Sequence, residues 1–369
     1  MARILIAHNF KDESFSAMSH RLAHLLSERH EVVFMSYRPY FAERLSLNQG
    51  RLTVYSWHSK ARPTGFRDVF HFARIFLRHR PQVVVAHFVG ANISILVSKI
   101  LSGFGVRTYE WYHTQSYMIE YDHGRIHWLR RWRRRFYYGR FVDRVVAVSE
   151  LSARDYKAFY GLDNCQVLLN GIRDRYRAVA MDTEPQVLTV GFLGRLEGVK
   201  GIEMLLEMID RLSADDYRFK VAGEGPYSDR LAGLQRGNVE YLGLLHYGSV
   251  VDFIESCQVI VIPSVEDNLV TVGIEALMLE RCLLISDRTG LSAYLKDGVD
   301  ASIRPPEISA FIDALEDMRA DRVAMQRMAV EGRATFLRMF SMESHLQNVE
   351  RLIFDGDPQR DSKPRMTLT

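Results

Sequence analysis

Residues 187–212 read VLTVGFLGRLEGVKGIEMLLEMIDRL. A short apolar run, VLTVGFL, gives way to a glycine-rich turn over 194–201. The turn opens a stretch, 202–212, with apolar residues at helical spacing. Short runs rich in Val and Ile suit strands buried on both faces, as in a parallel sheet. The pattern repeats toward the C-terminus in RFKVAG (218–223), VEYLG (239–243), CQVIVI (257–262) and CLLIS (282–286). Toward the N-terminus it resumes beyond a polar stretch, RAVAMDTEPQ (177–186). There the strand candidates are RILIAH (3–8), EVVFMS (31–36), LTVYSW (52–57), QVVVAH (82–87), VRTYEW (106–111), RVVAVS (144–149) and QVLLN (166–170). Helical stretches lie between them, for example at 16–29, 66–79 and 92–102. This alternation on both sides of one polar linker predicts two doubly wound α/β units with parallel sheets, over 1–180 and 187–340. Segments 308–339 and 344–354 read as helices, and the polar tail 357–369 reads as disordered.

Length and composition agree with two globular domains. The chain has 369 residues, 47% of them hydrophobic, and its 48 basic and 45 acidic residues leave a net charge of +3. That balance excludes a mostly disordered chain, a collagen and a polytopic membrane protein. It also implies no bulk polycation, so affinity for a nucleic acid or a membrane would need a local patch. Cys165, Cys257 and Cys282 are far apart and show no C-x-x-C spacing. A zinc site or redox dithiol is not indicated, and the sparse count fits a reducing cytosol. The N-terminal MARILIAHNF reads as the first strand rather than a leader. The most apolar region, 83–106, is interrupted by His87, Asn92, Ser94, Ser98 and Lys99, so it reads as strand and helix rather than a membrane span.

In a two-domain α/β chain the ligand sits beyond the carboxyl ends of the strands. The turn Gly194-Arg195-Leu196-Glu197-Gly198-Val199-Lys200-Gly201 is in that position. Its glycines would let the backbone approach an anion, and the following helix offers free amides. Arg195 can fork two phosphate oxygens and Lys200 adds a compact charge. The spacing fits a diphosphate cradle or a surface loop with two solvated cations. It is not a Walker loop, since G-x-x-x-x-G-K-[ST] is absent. The second constellation, PSVEDNLVTVGIEAL (263–277), follows CQVIVI. Asp267 and Glu275 are suited to vicinal hydroxyls of a ribose or hexose. Backbone amides from Leu269, Val270 and Thr271 would face a phosphate. The competing reading is a polar loop and an ordinary acidic helix residue, which is stronger for Glu266 than for Glu275.

GRLEGVKG, then AGEGP (222–226), then PSVEDNLVTVGIEAL resembles the C-terminal half of a retaining GT-B glycosyltransferase of family 4. LAHLLSERHEVVFMS (22–36), VDRVVAVSE (142–150) and LLNGI (168–172) resemble its first half. The resemblance implies a GT-B fold of two Rossmann-like domains, with the first on the acceptor side and the second on the donor side. A C-terminal helix over 341–356 would cross back to the first domain. It implies a nucleotide-diphosphate sugar, UDP- or GDP-linked, as donor, with no metal and no cofactor. Gly194, Arg195 and Lys200 would bind the diphosphate, Glu275 the ribose, and Asp267, with Glu266, Asn268, Leu269, Val270 and Thr271 around it, the donor sugar and phosphates. Asp267 stands where the family usually has Glu, one methylene shorter. His113 matches a histidine near the reacting sugar, and the residue-level alternative is a hydrogen-bonded histidine near the core. The first βα loop lacks the family's paired glycines, with Ser14 and Ser16 in their place. The segment DRTGLSAYLKDG (287–298) lacks the usual glycine pair and glutamate but keeps Gly290. By the same analogy the setting is bacterial surface polysaccharide or lipid-linked glycan assembly on the cytoplasmic face of the membrane. A Rossmann dehydrogenase is disfavoured because no strand leads into G-x-G-x-x-G. A degenerate scaffold would lack the cations, yet Arg195 and Lys200 are present.

Residues 125–144, RIHWLRRWRRRFYYGRFVDR, hold many arginines and a single acid, Asp143. On a helical wheel Ile126, Leu129, Trp132 and Phe136 share a face, with Arg131, Arg134 and Arg135 away from it. Such a helix suits an anionic membrane surface, and a lipid-linked acceptor would account for it. The alternative is a core-packed helix with a solvated basic face. Nucleic acid is not the expected partner.

Overall fold

The computed structural model describes residues 1–9, 13–36, 50–59, 63–87, 91–113, 128–179, 181 and 187–354. The expected replacement of glycines by Ser14 and Ser16 and the 357–369 tail concern side chains and residues outside this description.

Seven strands form the first sheet: β1 Arg3–His8, β2 Glu31–Ser36, β3 Leu52–Ser56, β4 Val83–His87, β5 Arg107–Tyr112, β6 Arg144–Ala147 and β7 Cys165–Val167. Their order is β3-β2-β1-β4-β5-β6-β7 and every pairing is parallel. Six strands form the second: β8 Leu188–Leu193, β9 Tyr217–Ala222, β10 Val239–Tyr241, β11 Val259–Ile262, β12 Cys282–Ser286 and β13 Ser302–Arg304. Their order is β10-β9-β8-β11-β12-β13, again all parallel. β4 and β11 are buried along their whole length. Continuous apolar strands require cover on both faces, and helices supply it. One apolar cluster fills the outer face of each sheet. A third runs from Ile4 and Phe34 through Phe340 and Ile353 to Leu277 and Ile260, and so joins the two units.

The helix Met342–Phe354 lies against the first unit. His345 Nδ1 lies 2.7 Å from the Leu169 carbonyl, Arg107 donates to the Ile353 carbonyl at 2.6 Å, and Tyr109 donates to that of Leu352 at 3.2 Å. The segment before β8 instead makes polar contacts with the second unit. Tyr176 donates to Glu280 at 2.7 Å, and Arg177 pairs with Glu255 at 2.9 Å.

Parallel strands put all their carboxyl ends on one edge, and the two edges meet. Asn268, after β11, donates to the His113 carbonyl, after β5, at 2.9 Å. Ser149, after β6, donates its hydroxyl to Asn268 Oδ1 at 2.5 Å. The Glu150 amide donates to Tyr294 Oη at 2.9 Å. These contacts put the sequence-predicted loops on both walls of one cleft.

Candidate active site

The donor-side wall is built from three loops that hold one another. The Gly194 amide donates to the Ala222 carbonyl at 3.1 Å, Leu196 to Glu224 at 2.9 Å, and Val265 to Val199 at 3.0 Å. Two glycines permit this packing. Gly201 has φ +74°, and an added Cβ would lie 2.0 Å from the Pro263 carbonyl oxygen. Gly223 has φ +135°, and its Cβ would lie 1.8 Å from the Gly194 carbonyl oxygen. No L side chain fits either position. These glycines serve contact between loops, whereas Gly194 and Gly198 face open space or a distant ring. Only the latter pair leaves room for a ligand's approach.

The loops then present charge. Lys200 pairs with Asp267, and both side chains are mostly enclosed. Arg195 pairs with Glu197 at 2.5 Å and stays about half exposed, with its side chain at 53%. Glu275, on the helix Thr271–Met278, accepts from Arg175 at 2.7 Å. The Arg175 guanidinium lies 4.5 Å from the centre of the Tyr247 ring. Asp267 also accepts from the Asn268 amide at 2.9 Å, and its carbonyl accepts from Gly290 at 3.0 Å. The loop end is thereby pinned to the turn after β12. Burial, then the Asp155 carboxylate opposite, raises the Glu266 carboxyl above its ordinary range. The Leu269 side chain is buried in the core, Val270 is half-buried and Thr271 is exposed, so Leu269 has only its backbone to offer a ligand.

A cluster of imidazoles backs the opposite wall, and of these only His113 is partly exposed. His8 and His87 end β1 and β4, and His113 follows β5. His87 Nδ1 lies 3.2 Å from His113 Nε2, with the rings stacked. Burial, then the neighbouring His345, pushes His113 down to about 3. Burial pushes His8 and His345 down to about 4, and His87 well below its ordinary value. This wall is therefore uncharged at neutral pH.

Of the sequence-predicted residues, Gly194, Arg195, Lys200, Glu266, Asp267 and Asn268 share the loops after β8 and β11, Glu275 lies on the helix that follows, and Asn268 bonds to the His113 backbone. Arg175, Tyr247, His8, His87 and His345 were missed. His8 and His87 carried a signal, each as the last residue of a buried strand; the others lie outside any motif. The basic helix is Trp128–Phe141, with residues 125–127 and its first predicted turn outside the description. Three cations assigned to a membrane are turned along the neighbouring helix Glu150–Tyr160. Arg131 donates to the Phe159 carbonyl at 2.7 Å, Arg135 to that of Gly161 at 3.2 Å, and Arg134 is half-buried against Tyr160. Trp132 remains exposed at 62%. Among the described residues, no group of three His, Cys, Asp or Glu side chains is placed to hold a metal ion.

Two parallel-sheet units meeting at a cleft define the GT-B class. The same fold, at TM-score 0.75 and 15% identity, is found in Anabaena HepE solved with UDP-glucose, over 96% of this chain and all of that one. Residues 17–175 match the model for Glycosyltransferase Family 4, and residues 187–321 match that for group 1 glycosyl transferases. The chain belongs to this group 1, family 4 type of glycosyltransferase. It is 28% identical over 166 residues to the alpha-D-kanosaminyltransferase of Streptomyces kanamyceticus, over 43% of this chain and 42% of that one. It is 30% identical over 181 residues to the putative teichuronic acid biosynthesis glycosyltransferase TuaC of Bacillus subtilis, over 46% and 45%. The chain thus spans less than half the length of these curated relatives.

Proposed function

We propose that the chain transfers a hexose from a nucleotide-diphosphate sugar to a hydroxyl of a lipid-linked or surface-glycan acceptor, with retention at the anomeric carbon. The observation that carries this reading is the Lys200–Asp267 pair, held where the loops after β8 and β11 interlock. A diphosphate arriving there takes Lys200 and releases Asp267 to the sugar hydroxyls. Arg195 and the amides at Val270 and Thr271 add to the charge that meets the leaving phosphate. Stabilising charge where it develops is the largest single contribution in such sites. The acceptor hydroxyl attacks from the face the diphosphate leaves, and the departing phosphate takes its proton. No protein base and no metal is then needed. The neutral His113 orients the sugar. Glu275 takes the ribose once Arg175 gives way. A UDP-linked donor is supported by the UDP-glucose in HepE, and a surface-glycan acceptor by the name of TuaC. The helix Trp128–Phe141 rests on the cytoplasmic face of the membrane through Trp132 and its arginines. No helix among the described residues is long and apolar enough to cross a bilayer.

The test is turnover of UDP- and GDP-sugars with glycan and polyprenyl-linked acceptors in EDTA, with the new anomer read by proton NMR. The donor's anomeric configuration in the product is the expected result. An inverted product overturns the mechanism, and activity that disappears with EDTA overturns the metal-free reading.

A further inference from the structure

The helices Phe66–His79, Asn92–Leu101, Trp128–Phe141 and Glu150–Tyr160 lie side by side on one face of the first sheet. Their inner sides fill the core with Phe72, Phe76, Ile95 and Tyr138. The outer sides of the first and third carry large apolar groups in the open. Phe66 is 85% exposed and Phe70 67%, while Trp128 is 68% exposed and Trp132 62%. Phe66, Phe70 and Leu77 fall on one helical stripe, and Arg74 and Arg78 flank it. The charges on these two helices are segregated. The sole acid of Phe66–His79 is Asp68, which is buried and accepts from the Ser59 amide at 3.0 Å. Trp128–Phe141 contains no acid, and its exposed charges, like those of Phe66–His79, are all arginines. The whole chain balances 48 basic against 45 acidic residues, so this is a local choice. Apolar residues exposed among arginines, on helices whose other side is already buried, are the signature of a helix lying in a lipid interface. A nucleic-acid duplex would use the arginines but give the Phe66, Phe70 and Leu77 stripe nothing to enter, and the aliphatic Leu77 offers single-stranded bases no ring to stack on.

The topology adds a direction. Phe66–His79 follows β3 and Trp128–Phe141 follows β5, so both start on the edge of the sheet where the cleft opens. Phe66, Phe70, Trp128 and Trp132 belong to the first turns of their helices, at the cleft end.

We infer that Phe66–His79 and Trp128–Phe141 form one docking face for an anionic bilayer, with the aromatic groups inserted beside the cleft mouth. A lipid-anchored acceptor then reaches the cleft without leaving the membrane. The inference rests on the membrane reading of Trp128–Phe141 given above, and adds the second helix and the orientation.

The experiment is co-sedimentation of the full chain with vesicles of phosphatidylglycerol and phosphatidylcholine, and with phosphatidylcholine alone. The wild type is compared with Phe66→Ser/Phe70→Ser and with Trp128→Ser/Trp132→Ser. All four side chains are exposed, and an unchanged melting temperature verifies the fold of each variant. The expected result is binding to anionic vesicles that each pair of substitutions weakens by about tenfold. Loss in the tryptophan variant with none in the phenylalanine variant overturns the two-helix face and leaves the single-helix reading standing. No binding by the wild type overturns both. Loss of self-association or of RNA retention, with vesicle binding unchanged, assigns the face to another partner and overturns the inference.

Discussion

The wall beyond β8 and β11 holds its acidic and basic side chains in pairs: Lys200 with Asp267, Arg195 with Glu197, and Glu275 with Arg175. The wall beyond β1, β4 and β5 keeps its titratable groups neutral by enclosing them: His8, His87, His113 and His345 all lie below their ordinary range. The first wall suits a ligand that brings its own charge and exchanges one ion pair for another. The second exposes only His113, and a neutral ring suits a hydroxyl, which needs orientation and not neutralisation. Charge can be held ready at a cleft only if a partner is at hand while the ligand is away, because an isolated enclosed ion is far more costly.

The largest expected effect breaks the neutral wall with acid. The unfolded chain protonates its histidines near pH 6.5, while His8 and His345 in the fold wait until about 4. Between these values the unfolded state binds more protons, so stability is lost as pH falls. Glu110, raised to about 8 by burial, holds a proton in the fold that the unfolded chain has released, and opposes the trend. The wall's four histidines, His8, His87, His113 and His345, less that one proton leave about three, a slope of roughly 4 kcal/mol per pH unit at its steepest. Urea denaturation from pH 4.5 to 8 is expected to show a maximum at about pH 7, where the unfolded histidines together hold about one proton, with a shallower decline above it as Glu110 acts alone. A flat profile from 4.5 to 6.5 would mean the histidines are solvated.

Gly201→Ala attacks the charged wall at its joint. With φ positive and the Pro263 carbonyl in the way, it is expected to cost about 3 kcal/mol, visible in the melting temperature. A neutral outcome would show that the loops after β8 and β11 do not interlock. Asn268→Ala removes the bonds from the charged wall to Ser149 and His113 and is expected to cost about 1 kcal/mol. A double-mutant cycle with Ser149→Ala separates coupling across the cleft from a local effect, and additivity would count against a shared contact.

The charged wall was legible because its residues sit in two short loops, next to the strands that position them. Phe66–His79 was legible end to end, since its apolar spacing stops where the chain turns at Arg80. β13, Ser302–Arg304, was missed because three residues with one apolar side chain carry no period. The stretch 308–339 read as helical, and its break was hidden: Asp321 ends Ile308–Ala320 and caps the next helix by accepting from the Ala324 amide at 2.8 Å. The neutral wall was hardly legible. His8, His87, His113 and His345 are dispersed along the chain, and their neutrality comes from tertiary enclosure. Arg131 and Arg135 are exposed, as a helical wheel places them, and they also donate to carbonyls at the end of the neighbouring helix. A wheel holds no information about that neighbour.

The most direct test is calorimetric titration of UDP and GDP, in EDTA, into the wild type and Lys200→Ala. Binding of one nucleoside diphosphate by the wild type, weakened at least about tenfold in a folded Lys200→Ala, is the predicted result, since charge-assisted hydrogen bonds are worth about 1.5–3 kcal/mol. Equal affinity in the two proteins, or no diphosphate binding by the wild type, would contradict the assignment of the charged wall to the donor.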